Sequence, residues 1–160
     1  MKKIILIAIL CLSINRLSAQ VENQLSTMVT ESVNEFVEFL NLEKSSTLYV
    51  NVDNLPKDFC CDDLGINPIS IKAIKNCSKE TKRQLRKDHI SVIEVNIILL
   101  DGEIHVLVEK LFVTYVKRGT LGVGKGENCR CSIYRYSCEK QEWEKIESLW
   151  FSDYKSKRER

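Results

Sequence analysis

Glu94, Glu109 and His105 are the residues of this chain best suited to doing chemistry together, and a turn signal brings them near each other. The stretch His89–Tyr115 reads HISVIEVNIILLDGEIHVLVEKLFVTY, two apolar-rich runs joined by Asp101-Gly102. An Asp-Gly pair suits a type I′ turn, which needs positive φ at both central residues. With Asp101-Gly102 in the turn, Leu100 faces Glu103. The same register sets Glu94 opposite Glu109, with Asn96 diagonal to His105. Facing carboxylates in a dry setting raise one pKa, which suits acid–base work or a divalent cation. The plainer reading is a wet sheet face on which both acids are solvated. No third acid is fixed nearby, and no G-x-S-x-G or H-E-x-x-H signature accompanies them.

The cysteines are the second resource: Cys11 falls within the first nineteen residues, and past them six remain, Cys60, Cys61, Cys77, Cys129, Cys131 and Cys138. An even number in an exported protein points to disulfides. Cys60 and Cys61 are neighbours and should each reach elsewhere, while Cys129 and Cys131 share one face of a strand. At least two bonds are expected, one joining the Cys60–Cys77 loop to the Cys129–Cys138 strand. A thiolate zinc site is the weaker alternative, because paired C-x-x-C knuckles are missing. No metal or cofactor is therefore expected.

Gly119–Gly126, reading GTLGVGKG, imitates G-x-x-x-x-G-K-[ST] but ends in Gly126, which has no hydroxyl for Mg²⁺. Strand-type sequence follows where a helix should begin, so the stretch reads as a flexible inter-strand loop. Tyr134, Tyr136, Trp143 and Trp150 are the remaining candidates. Core filling explains most such residues, yet aromatics with polar tips also favour partner surfaces.

The elements that must position these groups follow from periodicity. In the hairpin, Val95, Ile97 and Leu99 against Val108, Val106 and Ile104 make one apolar face, and the other face is mixed. Val21–Leu42 is amphipathic, with Leu25, Met28, Val29, Val33, Phe36, Val37 and Leu40 at helical spacing. That helix needs a sheet, and the apolar hairpin face is its expected partner. Ser46–Asp53 alternates like a strand, and Ile69, Ile71 and Ala73 suggest a short one within irregular sequence. Ser78–Asp88 reads as an exposed helix whose Lys79, Lys82, Arg83, Arg86 and Lys87 are solvated. Past Val108 the inward residues become Leu111, Val113 and Tyr115, a switch that a bulge near Glu109-Lys110 would produce. Asn128–Tyr136 reads as another strand. In Trp143–Phe151 the spacing of Trp143, Ile146 and Trp150 suits a helix, whereas a tight turn after a long strand favours one more strand. Residues 154–160 read as a frayed basic tail.

Residues 1–19 have the plan of a signal peptide: Lys2-Lys3, an apolar Ile4–Leu12, and Leu17-Ser18-Ala19 before a cleavage point. The apolar run falls short of the roughly 20 residues of a membrane helix, so no transmembrane segment is expected after cleavage. Cleavage removes three basic side chains and no acid, leaving 21 basic against 22 acidic residues. That balance argues against a nucleic-acid partner.

The expected protein is an α+β domain over residues 20–153, an N-terminal helix packed on an antiparallel sheet of about 4–6 strands. It is exported, periplasmic or secreted, with a bacterial layout. Its expected role is non-catalytic binding of a protein or cell-surface ligand. The alternative is a small hydrolase or metal-dependent enzyme using Glu94, Glu109 and His105.

Overall fold

Val, Ile and other strand-favouring residues carry about half of the described residues into strands. The computed structural model describes residues 23–40, 48–56, 58–61, 65–73, 79–116 and 120–158. Residues 1–19, where a signal peptide is expected, and Cys77 lie outside them. A helix over residues 23–39 (α1) precedes strands Leu48–Asn51 (β1) and Asn67–Ile69 (β2) and helix Lys79–Lys87 (α2). Strands Ile90–Leu100 (β3), Glu103–Tyr115 (β4), Leu121–Ser137 (β5) and Glu142–Trp150 (β6) follow. Helix Phe151–Arg158 (α3) comes last.

The strands form a six-stranded sheet in the order β2-β1-β3-β4-β5-β6. The class is α+β as expected, but the sheet is mixed. β1 runs parallel to both β2 and β3, because α2 carries the chain from one side of β1 to the other. The hairpin register is the one its turn implies: Leu100 pairs with Glu103, Ile97 with Val106, Val95 with Val108 and Glu94 with Glu109. Asp101 and Gly102 take φ of 51° and 79°, both positive, as a type I′ turn needs.

Both faces of the sheet carry a core. On the inner face, Ile93, Val95, Val106, Val108 and Tyr134 fall in one buried cluster with Met28, Val29, Val33 and Phe36 of α1. On the outer face, Leu85 of α2 clusters with Val92 and Val113, and Tyr154 of α3 with Cys131 and Ile133. Val92 and Ile93 are successive in one strand and both fully buried, which requires cover on both sides.

Several expectations are corrected here. Leu111 and Val113 are not inward through a change of parity, since β3–β4 pairing runs through them without a shift. Val113 is buried with Leu85 of α2, which covers that end of the outer face, and Leu111 is buried beside it on the same face. The register shift between Glu109 and Leu111 belongs to the β4–β5 pairing, where β5 gains residues opposite Lys110. The glycine-rich stretch is a strand, not a loop: Leu121–Lys125 pair with Tyr115–Leu111. Gly126 suits the close approach at the bulge, since a Cβ there would sit 2.7 Å from the Lys110 carbonyl oxygen. Ile71 lies in a turn rather than a strand. Nor are residues 154–158 a frayed tail, for they lie within α3, where Tyr154 is buried.

Candidate functional site

The facing acids do not form a shared site. Glu94 and Glu109 are cross-strand partners, but each carboxylate has its own donors. Glu94 accepts hydrogen bonds from Asn51 Nδ2 at 2.7 Å and Asn54 Nδ2 at 3.2 Å. Glu109 instead lies 3.4 Å from Lys125 Nζ, across on β5. Repulsion between the two is relieved by turning apart, since neutral amides meet one acid and an ammonium the other. His105 is drawn elsewhere, beneath α3. The constellation Glu94, Glu109 and His105 is therefore not assembled, and an acid–base pair is lost with it.

What the outer face holds is a groove of about 780 Å³ between the middle of the hairpin and the start of α3. Its apolar lining includes Ile98, Leu107 and Phe151, and its polar lining includes Asn96, Glu109 and Lys125. Three local features of the sequence open it. α2 covers the sheet near Val92 and Val113, α3 covers it near Cys131, and the β5 bulge at Gly126 shapes the rim between them. Ile98 is left 40% exposed in the middle of a strand. Cys129 also lines the groove. Burial, and then the Glu109 carboxylate beside it, push its thiol up to about 11 against the smaller opposing effect of Lys125. At neutral pH it is a protonated, weakly polar wall, not a nucleophile.

Among the described residues the cysteines are not stapled. Cys60, Cys61, Cys129, Cys131 and Cys138 all stand as thiols, and the expected link from loop to strand is absent among the described residues. The reason is topological. Cys61 belongs to the inner-face cluster and Cys131 to the outer-face one, so the sheet separates them. Among the described residues, no group of three or more His, Cys, Asp or Glu is disposed to hold a metal ion.

The aromatic candidates scatter. Tyr134 is buried in the inner core, where its hydroxyl lies 3.0 Å from the Met28 carbonyl oxygen and 3.1 Å from Glu31 Oε2. Burial, with Glu31 and Glu35 nearby, raises its pKa far above the usual phenol range despite the Ser32 hydroxyl. Tyr134 is thus a structural phenol. Trp143 packs against the same core, with exposed Tyr136 edge-on to it at 5.6 Å. Trp150 meets Phe39 edge-on at 4.3 Å and is the one member of the four that reaches the groove.

Two clusters escaped the sequence. One is ionic: Glu35 pairs with Lys145 and, at 3.2 Å, with Arg130, while Arg130 Nε donates to Ser148 Oγ at 2.7 Å. It joins α1 to β5 and β6, and no spacing rule links residues so far apart in the chain. The other lies under α3. Cys131 Sγ is 4.0 Å from His105 Nδ1, and His105 Nε2 is 3.6 Å from Glu103 Oε2. Period-two alternation does place these three on one face, but only the β4–β5 register puts Cys131 diagonal to His105.

Among the described residues, no helix is long and apolar enough to cross a membrane. No family profile, curated protein or solved structure matches this chain.

Proposed function

We propose that the protein is an exported, non-catalytic binding module whose ligand site is the outer-face groove. The observation that carries this reading is the groove itself, lined by apolar Ile98, Leu107 and Phe151 together with polar Asn96 and the Glu109–Lys125 pair. An apolar centre with a polar rim is the usual anatomy of a recognition site. The ligand is a protein segment or cell-surface molecule that seats an apolar group against Ile98 and answers the rim with hydrogen bonds. Export is supported by the Lys2-Lys3, Ile4–Leu12 and Leu17–Ala19 pattern. The near-neutral charge remaining after residue 19 supports a partner other than nucleic acid.

In this reading α1 lies across the inner face as a permanent cover, which leaves the outer face for the ligand. Support comes from Met28, Val29, Val33 and Phe36, which share a buried cluster with Val95, Val106 and Val108. The ionic link from Glu35 to Arg130 and Lys145 supports it as well.

The test is capture from cell-envelope and culture-supernatant extracts by immobilised protein and two variants. Ile98→Glu places a charge on the groove floor. Leu99→Glu changes the adjacent, more exposed residue, which points to the opposite face. Capture by Ile98→Glu should fall by roughly tenfold or more, because burying an unpaired carboxylate exceeds the ~1.4 kcal/mol that a factor of ten represents. Leu99→Glu should capture normally. Equal capture by all three proteins, or a loss confined to Leu99→Glu, would overturn the reading.

A further inference from the structure

We propose that Cys131 is a histidine-activated thiol kept latent by the C-terminal helix. Three observations carry this, and none depends on the groove. First, Glu103, His105 and Cys131 lie in sequence along one face of β4 and β5, with His105 between the acid and the thiol. His105 Nδ1 is the atom nearest Cys131 Sγ, at 4.0 Å, and Nε2 is the atom nearest the Glu103 carboxylate, at 3.6 Å. A base that can take the thiol proton, backed by an anion that favours the resulting imidazolium, is what activates a cysteine. Glu103 meets His105 through Oε2 while its Oε1 holds the Arg135 guanidinium.

Second, the cover over this chain is slight. Cys131 is fully buried and His105 nearly so. Tyr154 lies over them, its ring 5.6 Å from that of His105, and Cys131 and Tyr154 share a cluster. Among the described side chains of α3, Tyr154 is the one that is buried, with Phe151, Ser152, Asp153, Lys155 and Ser156 exposed. A helix of eight residues has little stability of its own. Anchored by the buried Tyr154 ring, it is the sort of unit that opens locally while the rest stays folded.

Third, a cavity of about 390 Å³ already abuts the cover, lined by His105, Glu103, Arg135, Glu147 and Tyr154. Withdrawal of Tyr154 would join that space to the thiol. The co-reactant class is a small carbon electrophile that enters from this side. In the step, His105 Nδ1 takes the Cys131 proton and Sγ bonds to the electrophilic carbon. The leaving group departs with its electron pair, and the imidazolium later returns its proton to water.

Iodoacetamide tests this directly, with iodide as the leaving group. Native protein is alkylated at neutral pH, then digested and read cysteine by cysteine. Trypsin cleavage after Arg130 puts Cys129 and Cys131 on different peptides. Tyr154→Ala should speed alkylation of Cys131 by roughly tenfold or more, as expected when a local cover is removed. Cys61, buried in the inner-face cluster, should stay as slow as in the parent protein. Adding His105→Gln should return most of that gain and move the pH dependence of the Cys131 rate upward. An unchanged Cys131 in Tyr154→Ala would overturn the proposal. So would a parallel rise at Cys61, which would mean that α3 is not a separable cover. A Cys131 rate indifferent to His105→Gln would overturn the activation.

Discussion

Phe36→Ala is expected to destabilise the protein by about 3–5 kcal/mol, the usual cost of emptying a buried phenylalanine site. Phe36 is 0% exposed and sits in the largest cluster, among Val29, Val33, Val95, Val106 and Val108. The strands around it are hydrogen-bonded on both sides, so their backbone cannot collapse into the space that the ring leaves. Ile98→Ala is the contrast. Its side chain is 40% exposed at the groove, and truncation there should cost about 1 kcal/mol or less. Urea melts of the two variants, compared at equal m-value, measure both numbers. Equal losses would mean that Ile98 is core rather than groove floor, and the site would disappear with it.

Leu85→Ala is expected to cost about 2–5 kcal/mol, although it lies in a helix that is otherwise polar. α2 reads KETKRQLRK, so Leu85 is its single apolar residue. That residue is 2% exposed and packs with Val92 and Val113 on the outer face. A nine-residue helix is marginal in water and depends on this contact to stay docked. Losing it uncovers Val92 and Val113, both fully buried otherwise. Urea unfolding followed by circular dichroism checks the value. A loss below about 1 kcal/mol would mean that α2 is not a covering layer.

How much of this is legible in the residues differs by element, for physical reasons. The β3–β4 register can be read because Asp101-Gly102 admits one favoured turn, and every pair follows from it. β6 can be read less well. Its Trp143, Ile146 and Trp150 sit at helical spacing, and the shift in β5–β6 pairing between Ile133 and Tyr134 is what disturbs the strand alternation. Val92 and Ile93 are adjacent apolar residues, a mark of a strand covered on both faces, yet Leu85 alone gives little warning that α2 supplies the cover. The parallel pairing of β1 with β2 and β3 leaves no local trace, because β2 is three residues long and contains Pro68. Gly122, Gly124 and Gly126 suggest a loop by composition, whereas their strand gains its place from pairing with β4. Tyr154 looks like part of a basic tail until α3 folds it onto His105.

The candidate site is legible only in outline. Alternation puts Glu94, Asn96, Glu109 and His105 on one face, and that placement is right. Where each side chain turns is decided by neighbours remote in the chain: Asn51 and Asn54 for Glu94, Lys125 for Glu109, Tyr154 and Cys131 for His105. The even cysteine count misleads for a related reason. A count carries no information about which face of a sheet each thiol occupies, and Cys61 and Cys131 occupy opposite ones.

Hydroxyl-radical footprinting of the protein with its captured ligand tests the groove most directly, since it reports side chains one at a time. Ile98 and Phe151, both exposed and both lining the groove, should lose most of their labelling when the ligand is bound. Leu99 and Phe39, exposed on the inner-face side, should keep theirs. Protection of Leu99 and Phe39 with Ile98 and Phe151 labelled as before would place the ligand on the other face and contradict the account.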